Sequence, residues 1–375
     1  MIPLLSAPVK IAITGLRGIP GIMGGVETHC EELLPRLAAL DCALSITVLG
    51  RAPYLDADPK AVGGVQVVAL PAPRRQSIEA IVSTMLGIVW ARWRGFRHVH
   101  IHAIGPGLIA PIARLLGMRV IVTHHGEDYE RAKWGRIART ALRLGERASA
   151  RNAHGLICVA PSLAERIAAK FPDARKTIRY IPNGAPAVPL PDQKERRRVL
   201  EQFGLEAGEF VLAVGRLVPE KGFDYLVEAH RRSGTRQPLV IVGAADHASS
   251  FATNLLTQAS DSVRFLGVQP RGILASLYAE AALFVLPSFH EGLPIVALEA
   301  ARAGAPMLMS DIVPNRDIGL PATNYFPVGD VDALAFALAS PFETFAIDSS
   351  AISERFDWDR IAAATLEVYR DVIGR

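Results

Sequence analysis

Apolar residues fall along this chain in short unbroken blocks, each followed by a stretch with helical spacing. Blocks at 9–14, 45–49, 65–70, 98–102, 119–123 and 156–159 carry little polar alternation. That pattern suits strands buried on both faces, as in a parallel sheet. Between them, residues 27–40, 77–93, 109–116, 134–151 and 162–170 repeat their apolar positions every three or four residues, which predicts helices. Strand and helix in turn predict a parallel sheet wrapped by helices. The rhythm breaks at Ile181-Pro182-Asn183-Gly184-Ala185-Pro186 and the proline-rich run to Pro191, a good linker composition. It resumes with strands at 210–214, 239–242, 263–265, 283–286 and 306–310, again spaced by helices, and closes with an amphipathic helix at 356–373. The prediction is an α/β chain of two doubly wound domains, with ligands at the carboxyl ends of the strands in a cleft between them.

Length agrees, since 375 residues exceed one ordinary core. Half the residues are hydrophobic, ample for burial. The three cysteines, Cys30, Cys42 and Cys158, are scattered and odd in number. They read as buried thiols in a reducing compartment. Met1-Ile2-Pro3-Leu4-Leu5 lacks the charged start of a signal peptide, and the longest apolar stretch, 78–90, contains Glu79 and is too short to span a bilayer. A cytoplasmic protein is expected.

Net charge sharpens the picture once it is divided. Residues 1–185 hold 24 basic and 13 acidic side chains, a balance of +11; the rest hold 17 and 24, a balance of −7. The first half therefore suits an anionic partner or surface. Nucleic acid is disfavoured, because no binding motif or aromatic platform accompanies the charge. Arg136, Arg139, Arg143 and Arg147, spaced three, four and four apart, form one basic stripe on a helix. A solvated face is the ordinary reading of such a stripe; docking on anionic lipid is the functional one.

The richest chemistry lies in Phe289-His290-Glu291-Gly292-Leu293-Pro294-Ile295-Val296-Ala297-Leu298-Glu299-Ala300. It follows the strand at 283–286 and enters a helix, with Pro294 suited to its first position and Glu299 about two turns in. Glu291 sits at the strand's carboxyl end. Backbone amides at the helix start favour an anion such as phosphate, and carboxylates accept from hydroxyls. Donors for phosphate beside acceptors for hydroxyls suit a sugar nucleotide.

Two further loops add to it. Gly15-Leu16-Arg17-Gly18-Ile19-Pro20-Gly21-Ile22-Met23-Gly24-Gly25-Val26-Glu27-Thr28 lies between a strand and a helix, where glycines let the backbone approach a phosphate. The spacing is not G-x-G-x-x-G, and the second strand ends Gly50-Arg51 without an acid; both features count against a nicotinamide dinucleotide. Gly215-Arg216-Leu217-Val218-Pro219-Glu220-Lys221-Gly222 offers two cations able to clamp a diphosphate. At another strand end, Thr123-His124-His125-Gly126 supplies a histidine to orient a hydroxyl. No cysteine or carboxylate spacing supports a dedicated metal site there.

In this order, the segments resemble the family 4 retaining glycosyltransferases over nearly the whole chain. Glu291 and Glu299 are similar to the family's E-x7-E pair, 215–222 to its G-R-x-x-x-x-K-G loop, and 181–184 to its interdomain motif. Arg17-Gly18-Ile19-Pro20, the run from Gly24 to Thr28, and Arg131-Ala132-Lys133-Trp134-Gly135 resemble a subgroup labelled rhamnosyltransferase in bacterial surface-polysaccharide pathways. The resemblance implies the GT-B fold. An acceptor-binding Rossmann-like domain would cover 1–184 together with a returning C-terminal helix at 357–375, and a nucleotide-sugar-binding one 185–356.

It also implies roles. Arg216 and Lys221 would hold the donor diphosphate, and the backbone of Gly292, Leu293, Pro294 and Ile295 would meet donor oxygens. Glu299 would hold the ribose, Glu291 would lie by the donor sugar, and Gly24 and Gly25 would let their loop close over phosphates. His125 best matches the active-site histidine, with His124 the alternative. Transfer would retain anomeric configuration and need no metal or other cofactor, from a UDP-sugar in first place to a lipid-linked or growing oligosaccharide at the inner membrane face. Lys221→Ala is expected to abolish most transfer and leave the fold intact. The competing readings are a sugar-nucleotide epimerase and a non-catalytic nucleotide-binding partner subunit.

Overall fold

The computed structural model describes residues 8–56, 58–73, 76–131, 134–186, 189–245 and 249–374. Residues 1–7, Ala132 and Lys133, part of the run after Pro186, and the side chain of Ser77 lie outside what is described. The chain divides into two compact units, Met1–Gly184 with Asp357–Arg375, and Ala185–Phe356.

The first unit carries seven strands: β1 (Val9–Thr14), β2 (Leu44–Arg51), β3 (Gln66–Leu70), β4 (His98–His102), β5 (Arg119–His124), β6 (Gly155–Cys158) and β7 (Ile178–Tyr180). All pair in parallel, in the order β3-β2-β1-β4-β5-β6-β7. The second carries β8 (Val211–Val214), β9 (Leu239–Val242), β10 (Val263–Phe265), β11 (Leu283–Leu286), β12 (Met307–Ser310) and β13 (Tyr325–Phe326), parallel in the order β10-β9-β8-β11-β12-β13. In both sheets the order reverses beside the unit's first strand, the doubly wound arrangement. The expected strands and helices are present to within two residues at their ends.

The central strands are buried on both faces; β6, β8, β9, β11 and β12 are buried at every position. Apolar blocks without alternation thus end up inside, as a sheet covered twice requires. Two cores flank the first sheet. One joins Ile11, Ile13, Ile46 and Val48 to Leu33, Leu37, Trp358 and Tyr369, the other joins Ala12, Val99 and Val122 to Ile88, Ala113 and Ile167. β7 and β13 escaped the sequence reading, because β7 is a short edge strand with two of three side chains exposed and β13 has only two residues.

Six helices bear on the sites: α1 (Gly25–Leu40), α2 (Arg136–Asn152), α3 (Phe223–Ser233), α4 (Arg271–Glu280), α5 (Ile295–Arg302) and α6 (Trp358–Ile373). α6 starts where the Asp357 side chain accepts from the amides of Asp359 and Arg360, and stops at Gly374 in the left-handed region. Its buried residues Trp358, Ile361, Ala362, Thr365, Leu366, Tyr369 and Val372 form one stripe, which places this last helix in the first unit's core. Cys30 and Cys158 are buried, but Cys42 is exposed, contrary to expectation: it stands in the polar turn between α1 and β2, outside the apolar pattern.

Candidate functional site

In the second unit the strand-to-helix loop after β11 is fixed from three sides. The Tyr225 hydroxyl of α3 donates to the Pro287 carbonyl. The Phe289 amide donates to the Glu220 carbonyl at 2.9 Å. Ser310 Oγ, at the end of β12, donates to the Ser288 carbonyl at 2.6 Å. A side chain at Gly222 is barred, since its φ is 67° and a Cβ would stand 2.4 Å from the Pro287 carbonyl oxygen. The two loops at the carboxyl ends of β8 and β11 are therefore in direct contact.

That contact brings Lys221 to Glu291, with Nζ 2.5 Å from Oε1 and both side chains nearly buried. Ser288 Oγ donates to the same carboxylate at 2.6 Å. Burial alone raises a carboxyl pKa, but here the charge and hydrogen bond of Lys221 with the Ser288 donor outweigh it and hold Glu291 below the usual range. Arg216 is half-buried in the same loop as Lys221.

α5 begins after Pro294, which caps it rather than opening it as expected: the Ala297 and Leu298 amides donate to the Pro294 carbonyl. The amides of Ile295 and Val296 precede that first helical bond and stand at the positive end of the helix. Leu293, Pro294 and Ile295 bury their side chains, while Gly292 is half-buried. Glu299 is the fifth residue of α5, just over one turn in and not two. The buried Tyr278 hydroxyl of α4 donates to Glu299 Oε2 at 3.1 Å, and burial followed by the Glu299 charge raises the phenol's pKa well above normal.

In the first unit the glycine loop is braced. The Arg17 amide and its Nε both donate to Glu27 Oε1 at 3.0 Å. A Cβ on Gly24 would lie 2.1 Å from Glu27 Oε2, whereas one on Gly25, the first residue of α1, meets nothing within 4 Å.

The two neighbouring histidines part company. His124 is fully buried and turns to Glu146 of α2, with Nε2 3.4 Å from Oε1, while its Nδ1 accepts from the Gly126 amide. Lys170 also pairs with Glu146. His125 is half-buried and joins a group of rings the sequence reading missed. His125 Nε2 lies 3.1 Å from His102 Nδ1, and its ring centroid is 4.9 Å from that of His29. His29 Nδ1 is 3.0 Å from Asn183 Oδ1. His100 bridges Tyr369 and Thr123 through its two nitrogens. Burial lowers all four pKa values, to about 4 for His29 and about 3 for His100, so the rings are neutral at pH 7. The signal was present in His98-Val99-His100-Ile101-His102, whose period of two puts the histidines on one face of a strand.

The arginine stripe is real: on α2, Arg136, Arg143 and Arg147 are exposed and Arg139 is half-buried. Ile137 and Leu144, one heptad apart, are exposed among them at 89% and 51%. No helix among the described residues is long and apolar enough to cross a membrane.

Residues 24–184 match the family Glycosyl transferase 4-like domain, and residues 195–343 match Glycosyl transferases group 1. The chain is 26% identical to Alpha-maltose-1-phosphate synthase of Mycolicibacterium smegmatis, over 97% of this chain and 100% of that protein. It is 32% identical to the Escherichia coli UDP-Gal:alpha-D-GlcNAc-diphosphoundecaprenol alpha-1,3-galactosyltransferase, over 58% of each. Among solved structures, sucrose-phosphate synthase from Thermosynechococcus elongatus superposes with a TM-score of 0.78 at 21% identity, over 98% of this chain and 99% of that one. Two matched domains, each on its own doubly wound sheet, make this chain a glycosyltransferase of the GT-B fold with a family 4-like first domain.

Proposed function

We propose that the enzyme moves a sugar from a nucleotide-diphosphate donor, a UDP-sugar in first place, to a lipid-linked or growing oligosaccharide in bacterial surface-polysaccharide synthesis, with retained anomeric configuration. The observation that carries this reading is the Lys221–Glu291–Ser288 group at the start of α5. It sets a cation, a carboxylate held ionised and the helix-start amides in one place. Arg216, Lys221 and the amides of Gly292, Leu293 and Ile295 receive the diphosphate beside Pro294 and stabilise its charge as it leaves, without a metal or other cofactor. Glu299 accepts from the ribose, Glu291 from the donor sugar, and His125 positions the reacting hydroxyls. Gly24 and Gly25 admit the phosphates to the N-terminal loop.

The second unit is then the donor domain and the first the acceptor domain. The name of the Escherichia coli relative, a UDP-Gal enzyme acting on a diphosphoundecaprenol-linked sugar, supports both the donor class and the lipid-linked acceptor. The exposed Ile137 and Leu144 among arginines of α2 support peripheral contact with an anionic, cytoplasmic-side membrane surface. Thermal stabilisation by a panel of nucleotide sugars tests the donor, followed by transfer to polyprenol-diphosphate saccharides. Stabilisation by none of the panel overturns the reading, and conversion of the donor alone would make the protein an epimerase.

A further inference from the structure

We propose that His29 of α1, His102 of β4 and His125 after β5 form a binding site for one zinc-class divalent ion. The three residues each offer a ring nitrogen, and these nitrogens lie within 4.8 Å of one another. They come from three separate elements, so no sequence spacing announces them.

The detail of each ring favours a ligand role. An amide oxygen only accepts, so the His29 Nδ1 that faces Asn183 Oδ1 carries the proton and Nε2 keeps its lone pair. That Nε2 is buried and has no hydrogen-bond partner, a cost an intact core seldom bears. A carboxamide or carboxylate fixing one ring nitrogen while the other points at a metal is the usual second shell of a zinc histidine.

His102 Nδ1 and His125 Nε2 are 3.1 Å apart. Two nitrogens bound to one tetrahedral zinc, each about 2.0–2.1 Å from it, stand roughly 3.3 Å from one another. This pair already has ligand spacing, and the third nitrogen closes on it by side-chain rotation.

Nitrogen-only ligands select zinc and its neighbours over magnesium and calcium, which take oxygen. His29 and His102 are buried and His125 is half-buried, leaving a fourth position for water, as in open three-histidine sites. Each neutral ring carries a single N–H proton, so binding moves the one shared between His102 Nδ1 and His125 Nε2 onto the outer nitrogen of the same ring and releases none. Loading the ion occupies the His125 lone pair. If His125 positions the reacting hydroxyls as proposed above, ion and substrate exclude one another, but binding measured without substrate does not depend on that reading.

The test is zinc titration of the chelator-dialysed full chain in competition with a chromogenic chelator. One ion per chain is expected, with His29→Ala and His102→Ala each weakening it at least tenfold and the control His230→Ala, in α3 of the second unit, leaving it unchanged. Loss of Asn183 should weaken it roughly tenfold through the ring it orients. Absence of competitive binding, or binding indifferent to His29→Ala and His102→Ala, overturns the proposal. Should those variants fail to fold, imidazole 15N spectra of the wild-type chain decide: the His29 Nε2 resonance must shift on adding zinc, and an unmoved resonance rejects the site.

Discussion

Lys221 Nζ lies 2.5 Å from Glu291 Oε1, so the cation and the carboxylate of the candidate donor site neutralise one another before any ligand arrives. A diphosphate must draw Lys221 away from that partner. Removing the lysine therefore does more than remove a phosphate contact. It leaves a nearly buried carboxylate without its counter-charge, a change that costs about 3 kcal/mol or more of folding stability. From the sequence alone Lys221→Ala is expected to leave the fold intact; the ion pair adds that the folded variant is less stable. Urea unfolding should show a lowered midpoint for Lys221→Ala, largely restored in the double variant Lys221→Met/Glu291→Gln, where both charges are gone. Transfer should stay absent in both. Equal midpoints for wild type and Lys221→Ala would remove the pair from the stability argument.

The two glycines before α1 separate structure from binding. Gly24→Ala puts a Cβ into the Arg17–Glu27 pair at a φ of 151° and should lower the thermal midpoint. Gly25→Ala meets open space at the first helical position. Alanine is the better helix former by up to about 1 kcal/mol, so stability should hold or rise. If the loop closes over phosphates, Gly25→Ala weakens donor binding while stability is kept. Unchanged KM for the donor would take Gly25 out of the site.

Membrane contact has its own variant. Ile137 is 89% exposed and flanked by Arg136, so Ile137→Ser with Arg136→Glu should abolish co-sedimentation with anionic vesicles at low salt. Soluble-acceptor transfer should be unaffected. Each basic residue at the surface contributes about 1 kcal/mol, and screening by salt should release the wild type too. Wild-type protein left in the supernatant at low salt ends this part of the proposal.

Much of the fold was legible because fully buried parallel strands write themselves as apolar blocks, as at 211–214 and 283–286. Edge strand β7 did not, since its side chains face water. Of the second-unit site, Glu291 and Lys221 could be named from their loops, but their pairing could not. It arises from two loops that the parallel register of β8 and β11 sets side by side. The different surroundings of His124 and His125 were hidden from the sequence for the same reason. Glu146, whose carboxylate faces His124, lies 22 residues further on in α2. The histidine cluster joins α1, β4 and the residue after β5, a proximity that only the crossover connections create.

Those buried rings fix the acid limit of the fold. In the unfolded chain an imidazole takes up its proton near pH 6.5, whereas His29 does so only near pH 4 and His100 near pH 3. The unfolded state thus binds more protons between these values, and stability falls as pH falls. Their contribution is complete above about pH 6.5 and is lost as pH drops through the folded values; at about 1.4 kcal/mol per unit, His29 alone accounts for up to about 3 kcal/mol. Glu291 and Glu146, both held below the ordinary carboxylate range, add a second loss that begins only below about pH 4.5. Urea midpoints in chelator-containing buffer should therefore fall from pH 7 to pH 5, before most of the loss from Glu291 and Glu146 sets in. His29→Gln should reduce that early slope by its own share, leaving the part due to the other buried rings and the later loss, and a wild-type midpoint constant from pH 7 to 5 would contradict burial of neutral histidines.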